Sequence, residues 1–142
     1  MNYDQLTQLY FERSNATQEY WNLYVIIVGG ILAFSSLRKH HATLTTLVVC
    51  VLFALFAYEN LGALHDVTAQ RFALLDAIKQ FDANGGATTN PMQVRALIEP
   101  TLTPATWNSV IVTHLTSDVP TILALVAMEW RRPTLRDAQH VA

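Results

Sequence analysis

The segment from Trp21 to Tyr58 is WNLYVIIVGGILAFSSLRKHHATLTTLVVCVLFALFAY, two apolar runs joined by a short basic turn. Each run holds roughly 17 residues, which form a helix about 25 Å long and approach the thickness of a bilayer core. Only residues 38–41 separate the runs, so the two helices must be antiparallel neighbours. The segment predicts a transmembrane hairpin.

A third apolar run extends from Trp107 to Trp130, and a basic pair follows it directly. Tryptophan at both ends is typical of a helix whose ends lie at the two membrane interfaces. Thr103 as the N-cap and Pro104 as the first helical residue predict that this helix covers 104–132.

The composition agrees with a membrane protein. Of 142 residues, 51% are hydrophobic and only 14% are charged, whereas soluble domains carry about 25% charged residues. A net charge of -2 argues against a nucleic-acid-binding surface, which needs clustered basic residues. The single cysteine, Cys50, excludes a disulfide framework within one chain.

Basic residues set the expected orientation. Arg38 and Lys39 lie in the turn, and Arg131, Arg132 and Arg136 lie in the C-terminal tail. Three spans put both groups on one side, which the positive-inside rule assigns to the cytoplasm. We expect an integral protein of the bacterial inner membrane, with its N-terminus outside and its C-terminus in the cytoplasm.

The parts outside the spans also have helical patterns. Leu61, Leu64, Phe72, Leu75, Ile78 and Phe81 recur near helical spacing, so the second helix is expected to continue beyond the membrane. A helical stop at residues 84–86 and a short helix from Pro91 to about Glu99, capped by Asn90, are predicted next. In the N-terminal tail, Asn15 with Gln18 predicts a fresh helix start.

The expected fold class is all-α: a polytopic membrane protein with three transmembrane helices, the second extended beyond the membrane, plus a small helical outer subdomain. The predicted segments are an outer N-terminal amphipathic segment (1–19), transmembrane helix 1 (20–38), transmembrane helix 2 (42–62), the outer subdomain (63–103), transmembrane helix 3 (104–132) and a cytoplasmic tail (133–142).

A polar stripe crosses the third span. Asp118 lies about 16 Å along the helix from Trp107, near the middle of a bilayer core, where an ionisable group is costly unless paired, neutralised or hydrated. His114, Ser117 and Thr121 share its face, and Pro120 frees one backbone carbonyl. Two interpretations stay open: a polar path or ion site, and a structural lock between helices.

Two further groups of polar residues are candidates. Asn22, Glu59, Asn60 and Asn108 are expected at similar depth near the outer interface, as a hydrogen-bonded collar or as an acidic ring at a pore mouth. His65, Asp66, His114 and Asp118 are weak candidates for a metal site, because no established ligand motif accompanies them. We predict no cofactor, and a metal ion is the minority interpretation.

Gly29, Gly30 and Ala33 form a small-residue face in the first span, which is typical of a helix packed closely on a neighbour. No catalytic motif is present. Three hypotheses follow: a non-enzymatic structural or accessory subunit that self-associates or joins a larger membrane complex, a homo-oligomeric ion or proton channel lined by the third helix, and a membrane metal-binding protein or enzyme.

Overall fold

The computed structural model describes residues 2–80 and 99–132. This part of the chain is all-helical, as predicted: α1 is Tyr3–Leu37, α2 is Thr43–Gln80 and α3 is Trp107–Trp130, with a 3-10 turn at Glu99–Thr101 before α3. All three helices are long and apolar enough to cross a membrane, and each packs against the other two. The chain is a helical membrane protein.

Helix α1 is one continuous element of 35 residues, about 52 Å long. Asn2 caps it: its side chain accepts from the backbone of Gln5 (2.8 Å), and the Gln5 side chain accepts from Asn2 N–H (3.0 Å). The predicted fresh start at Asn15 is wrong. Thr17 donates instead to the Arg13 carbonyl (3.0 Å), so this polar stretch satisfies its hydroxyl inside the helix.

Helix α2 has 38 residues and is about 57 Å long, so its predicted continuation beyond the membrane is confirmed. Residues 3–19 of α1 and 63–80 of α2 form an antiparallel pair that we term the extramembrane hairpin. Its core consists of Leu6, Tyr10, Leu75, Ile78 and Leu102.

Phe72, one of the apolar residues at helical spacing, is 38% exposed, and the residues buried in this part of α2 are Leu64, Val67, Thr68, Leu75 and Ile78. Phe81 and the predicted helical stop at residues 84–86 lie outside the described residues. The predicted short helix from Pro91 to Glu99 also lies outside them, except for Glu99 itself.

Helix α3 begins three residues later than its predicted start at residue 104. Thr106 is the N-cap, and its side chain accepts from Ser109 N–H (3.3 Å). The preceding segment is held elsewhere, since Leu102 is buried in the extramembrane hairpin and the Tyr10 hydroxyl donates to its carbonyl (2.9 Å). The predicted caps, Thr103 and Pro104, therefore lie in the connection.

The surface of the bundle is apolar and much of its interior is polar. Large apolar side chains are exposed on every helix, including Ile26 on α1, Leu52 on α2 and Leu123 on α3. Buried polar side chains face inward: Ser35, Thr46, Asn60, Thr68, His114, Thr121 and Glu129. This distribution suits a bundle surrounded by lipid, where polar groups must find partners inside the protein.

Candidate functional site

A hydrogen-bonded chain of four side chains joins all three helices, and we term it the central polar cluster: Tyr24, Asn60, His114 and Asp118. The Tyr24 hydroxyl of α1 donates to Asp118 Oδ1 (2.7 Å). His114 Nδ1 lies 2.7 Å from Asp118 Oδ2, one helical turn away on α3. Asn60 Nδ2 of α2 lies 3.2 Å from His114 Nε2. Asp118 thus has a hydrogen-bond partner on each of its two oxygens.

The arrangement of donors indicates the tautomer of His114. If the Asn60 amide N–H donates to Nε2, the proton of a neutral imidazole is on Nδ1 and points at Asp118. The ring is completely buried. It packs between aromatic rings of α1, with centroid distances of 5.7 Å to Trp21 and 4.6 Å to Tyr24.

The other members of the predicted stripe lie at the border of this cluster. Ser117 donates to the Thr113 carbonyl (3.0 Å), and the buried Thr121 donates to the Ser117 carbonyl (2.7 Å). Both hydroxyls therefore bond to the backbone of their own helix. Pro120 is on the exposed surface of α3, apart from the inward-facing pair His114 and Asp118.

The residues of the predicted collar are not brought together. Asn60 turns inward and joins the central polar cluster, whereas Asn22, Glu59 and Asn108 are exposed. Helical geometry explains the split, because Glu59 and Asn60 are neighbours about 100° apart around α2 and cannot share a face.

The metal candidates separate into two pairs. His114 and Asp118 are inside the bundle, while His65 and Asp66 are exposed and 3.2 Å apart. The second pair lines an open groove of about 470 Å³ together with Glu59 and Trp107. Within residues 2–80 and 99–132, no three His, Cys, Asp or Glu residues come close enough to hold a metal ion.

A second polar cluster lies at the end of the bundle that holds the α1–α2 turn, around the buried Glu129 of α3. Glu129 Oε1 accepts from the backbone N–H of Ala42 (2.6 Å), and Oε2 accepts from the Thr46 hydroxyl (2.7 Å). Ala42 immediately precedes α2 and has no side-chain acceptor. Glu129 therefore provides, from another helix, the carboxylate that a capping box would place in the first turn.

Arg132 acts in the same way on the end of α1. Its Nε donates to the Arg38 carbonyl (3.1 Å) and its Nη2 donates to the Ser35 carbonyl, so it satisfies two acceptors at the C-terminus of that helix. Its Nη1 donates to Glu129 Oε2 (2.7 Å). We term Glu129 and Arg132 the turn clasp, because together they hold both ends of the α1–α2 turn.

Arg38 is a second cationic partner of Glu129 in the turn clasp. Its Nη2 lies 3.4 Å from Glu129 Oε2 and donates to the Ala42 carbonyl (3.1 Å), while its Nη1 donates to Thr46 (2.9 Å). His41 is also 3.4 Å from Glu129. A single buried carboxylate thus has two guanidinium partners, as burial of a charge requires.

Apolar side chains separate the two polar clusters. Asp118 and Glu129 are about 16 Å apart along α3, and the completely buried Leu125 lies between them. On α2, the buried Phe53 occupies the interval between Thr46 and Asn60, and on α1 residues 25–34 are all apolar or glycine. An apolar layer therefore separates the central polar cluster, at mid-length of α3, from the polar cluster around Glu129.

Sequence reasoning missed Tyr24 and Glu129. Tyr24 lies inside the first apolar run and Glu129 near the end of the third, so neither belongs to the polar groups that the sequence pattern singled out. The spacing of Glu129 and Arg132, three residues apart on a helix end, was the available signal. No sequence feature identifies Ala42 and Ser35 as their backbone partners.

No known protein family, curated protein or solved structure matches the chain. The central polar cluster and the turn clasp are therefore the features from which a function can be inferred.

Proposed function

We propose that this protein is a non-enzymatic structural or accessory subunit of a membrane, one that self-associates or joins a larger complex. The observation that carries this proposal is the direction of the α3 polar face. His114 and Asp118 point at the other helices of the same chain and bond to Tyr24 and Asn60 there. Polar groups used in this way stabilise helix packing.

A homo-oligomeric channel is supported less well by the same geometry. A pore between chains needs polar residues on the outer surface of the bundle, where Val112, Leu115 and Val119 are exposed on α3. A path through one chain would have to cross the apolar layer at Phe53 and Leu125. We therefore favour the accessory role over conduction.

Purified protein in liposomes loaded with a pH-sensitive dye tests this choice. We expect no proton or cation flux above that of empty liposomes, with gramicidin as the positive control for the assay. Flux that appears with the unmodified protein and is lost in Asp118→Asn would overturn the accessory role and establish the channel.

We also propose that the N-terminus lies outside and the C-terminus in the cytoplasm, in a bacterial inner membrane. Lys39 and Arg131 support this orientation, since both are exposed near the turn clasp, beside Arg38 and Arg132. Four basic residues thus lie at one end of the bundle, as the positive-inside rule expects of the cytoplasmic end.

Cysteine labelling of intact cells tests the orientation. In a Cys50→Ala background, Thr88→Cys should react with a membrane-impermeant maleimide, whereas Ala138→Cys should react only after the cells are permeabilised. The reverse labelling pattern would show that the topology is inverted.

Self-association is proposed through the small-residue face of α1. Gly29, Gly30 and Ala33 are exposed in the single chain, and apart from the chain neighbours and the local backbone of α1 no atom lies within 4 Å of the position that a Cβ would take at either glycine. A second helix can approach this surface closely, which is how small residues promote association in lipid.

A further inference from the structure

A groove of about 370 Å³ lies between α2 and α3 and begins at the α1–α2 turn, and we term it the α2–α3 groove. His41 of the turn and Trp130 at the end of α3 line the end near the turn. Farther from the turn, its wall is apolar or weakly polar: Leu47 and Cys50 from α2, and Ile122 and Val126 from α3.

The length of the α2–α3 groove suits one acyl chain of a membrane lipid. Its wall on α3 extends from Ile122 to Trp130, which is about 12 Å along the helix axis. One leaflet of a bilayer core is about 15 Å thick. Because Trp130 is followed by two arginines, as at a membrane interface, the groove lies within the leaflet nearest to the turn.

The turn end of the groove has an excess of positive charge. Residues 38–58 and 119–132 include the whole groove wall, and they contain four Lys or Arg residues and one acid, Glu129. Two of the four basic residues, Lys39 and Arg131, are exposed. Their charges are therefore accessible to a ligand that approaches from the lipid headgroups.

Glu129 also lines the groove, but its charge is compensated within the protein. It is only 3% exposed, and its Oε2 lies 3.4 Å from Arg38 and 2.7 Å from Arg132. The carboxylate therefore has its cationic partners in the turn clasp and in the turn. The exposed charges at the end of the groove remain positive.

We propose that the α2–α3 groove binds one anionic phospholipid, with an acyl chain along Leu47 and Val126 and the headgroup at Lys39 and Arg131. The apolar wall favours a hydrocarbon chain, and basic pockets between transmembrane helices bind anionic headgroups. A zwitterionic lipid can supply the same chain but has no net charge. The headgroup charge therefore decides which lipid occupies the groove.

A lipid site goes beyond the accessory role proposed above and does not depend on it. The groove is formed by one chain, so it exists with or without self-association. It also does not depend on which end of the protein is cytoplasmic, because a vesicle contains anionic lipid in both leaflets. Lipid preference, flux and topology are measured separately, so failure of one does not remove the others.

Trp130 can report on the lipid in the groove, because it lines the groove and is 80% exposed. The protein has three tryptophans, so Trp21→Phe with Trp107→Phe leaves Trp130 as the fluorophore. This variant is reconstituted in vesicles of equal parts phosphatidylglycerol and phosphatidylcholine, with bromine on the acyl chains of one lipid or the other. From the quenching of Trp130 we expect a binding constant about fivefold higher for phosphatidylglycerol.

Charge variants test the headgroup contacts. Lys39→Gln with Arg131→Gln should reduce the preference for phosphatidylglycerol toward equal binding of the two lipids. Lys79→Gln is the matched control, since Lys79 is exposed at the other end of α2, and it should keep the full preference. An excess of free glycerol phosphate should leave the quenching unchanged.

Native mass spectrometry of the chain with all three tryptophans tests the groove itself, and it does not require the single-tryptophan variant to fold. Val126→Phe should reduce by one the number of phosphatidylglycerol molecules bound per chain, because the larger side chain fills the groove. Val119→Phe is the matched control: Val119 is 53% exposed on α3 and does not line the groove.

Equal quenching of Trp130 by the two brominated lipids would overturn the proposal, because it would show bulk lipid at the groove. Absence of quenching by either lipid would overturn it as well, since protein would then cover the groove. Displacement by glycerol phosphate would show a site for phosphate without an acyl chain. Equal lipid counts in Val126→Phe and the unmodified protein would place the bound lipid elsewhere.

Discussion

Glu129 has more polar partners than any other buried side chain described here. It bonds to the backbone of Ala42 and the hydroxyl of Thr46, and it pairs with Arg38 and Arg132. Oε1 accepts from the backbone of Ala42 in the turn, and Oε2 interacts with Thr46, Arg38 and Arg132. Because the two guanidinium groups are themselves largely buried, loss of the carboxylate would leave both without a counter-charge.

Glu129→Ala should therefore destabilise the folded protein strongly. We expect a loss of about 3–5 kcal/mol, the usual effect of removing one partner of a buried charge pair. Reversible unfolding in mixed detergent micelles measures it. Glu59→Ala is the matched control, since Glu59 is exposed on α2 and should change stability by less than about 0.5 kcal/mol. Equal effects for the two variants would show that the turn clasp contributes no stability.

The shared face of His114 and Asp118 was predictable from the sequence, because residues four apart on a helix are neighbours. It did not predict Tyr24 and Asn60 as their partners on other helices. Which face of α1 meets which face of α3 depends on the rotation of each helix about its axis. Hydrophobic periodicity does not reveal this rotation in an apolar span, because the side of the helix that faces the bundle and the side that faces lipid both carry apolar residues.

The three helices themselves follow from the sequence, because long apolar runs in lipid have few alternatives to helix. The ends were harder to predict than the existence of the spans. Polar residues such as Asn15 resemble caps, yet in α1 they lie within a helix that packs on α2 through Leu6 and Tyr10. The capping box at Asn2 and Gln5 therefore marks where α1 begins, and the similar motif at Asn15 lies inside the helix.

The extramembrane hairpin depends on one small apolar core, and Ile78 is its completely buried member. Ile78→Ala should cost about 2–5 kcal/mol of packing. We expect faster amide hydrogen exchange at residues 3–13 of α1, with residues 24–37 unchanged. Lys79→Ala, at an exposed neighbouring position, is the control and should leave both segments as in the unmodified protein. Uniform acceleration along α1 would instead indicate that the hairpin does not unfold separately.

At the scale of the whole molecule, the bundle is apolar outside and has two separate polar clusters in its interior. Lipid can cover the apolar surface, so exposure of residues such as Ile26 and Leu52 does not by itself require a protein partner. The exposed glycines on α1 are different. They offer close backbone approach and little side-chain contact with lipid, which favours a second helix at that position.

Replacing both Gly29 and Gly30 with Leu should reduce the particle mass in detergent to that of a single chain. The bulky side chains would separate the two backbones, and since no atom of α2 or α3 lies within 4 Å of the new Cβ atoms, the fold of each chain should persist. Gly62→Leu is the matched control, because Gly62 also has open space around it. Light scattering with detergent correction measures the mass, and an unchanged mass would exclude this face as the contact.

The turn clasp also depends on the order in which the helices are synthesised. A ribosome delivers α1, the turn and α2 long before it delivers Glu129 and Arg132. Until they arrive, the Ala42 N–H and the Ser35 and Arg38 carbonyls lack the side-chain partners that α3 brings them. Exposed polar backbone of this kind distinguishes an unfinished chain from a completed one. Insertion of the third helix thus supplies the last hydrogen bonds of the α1–α2 turn. In a nascent chain that stalls before residue 129, these backbone groups stay without their side-chain partners.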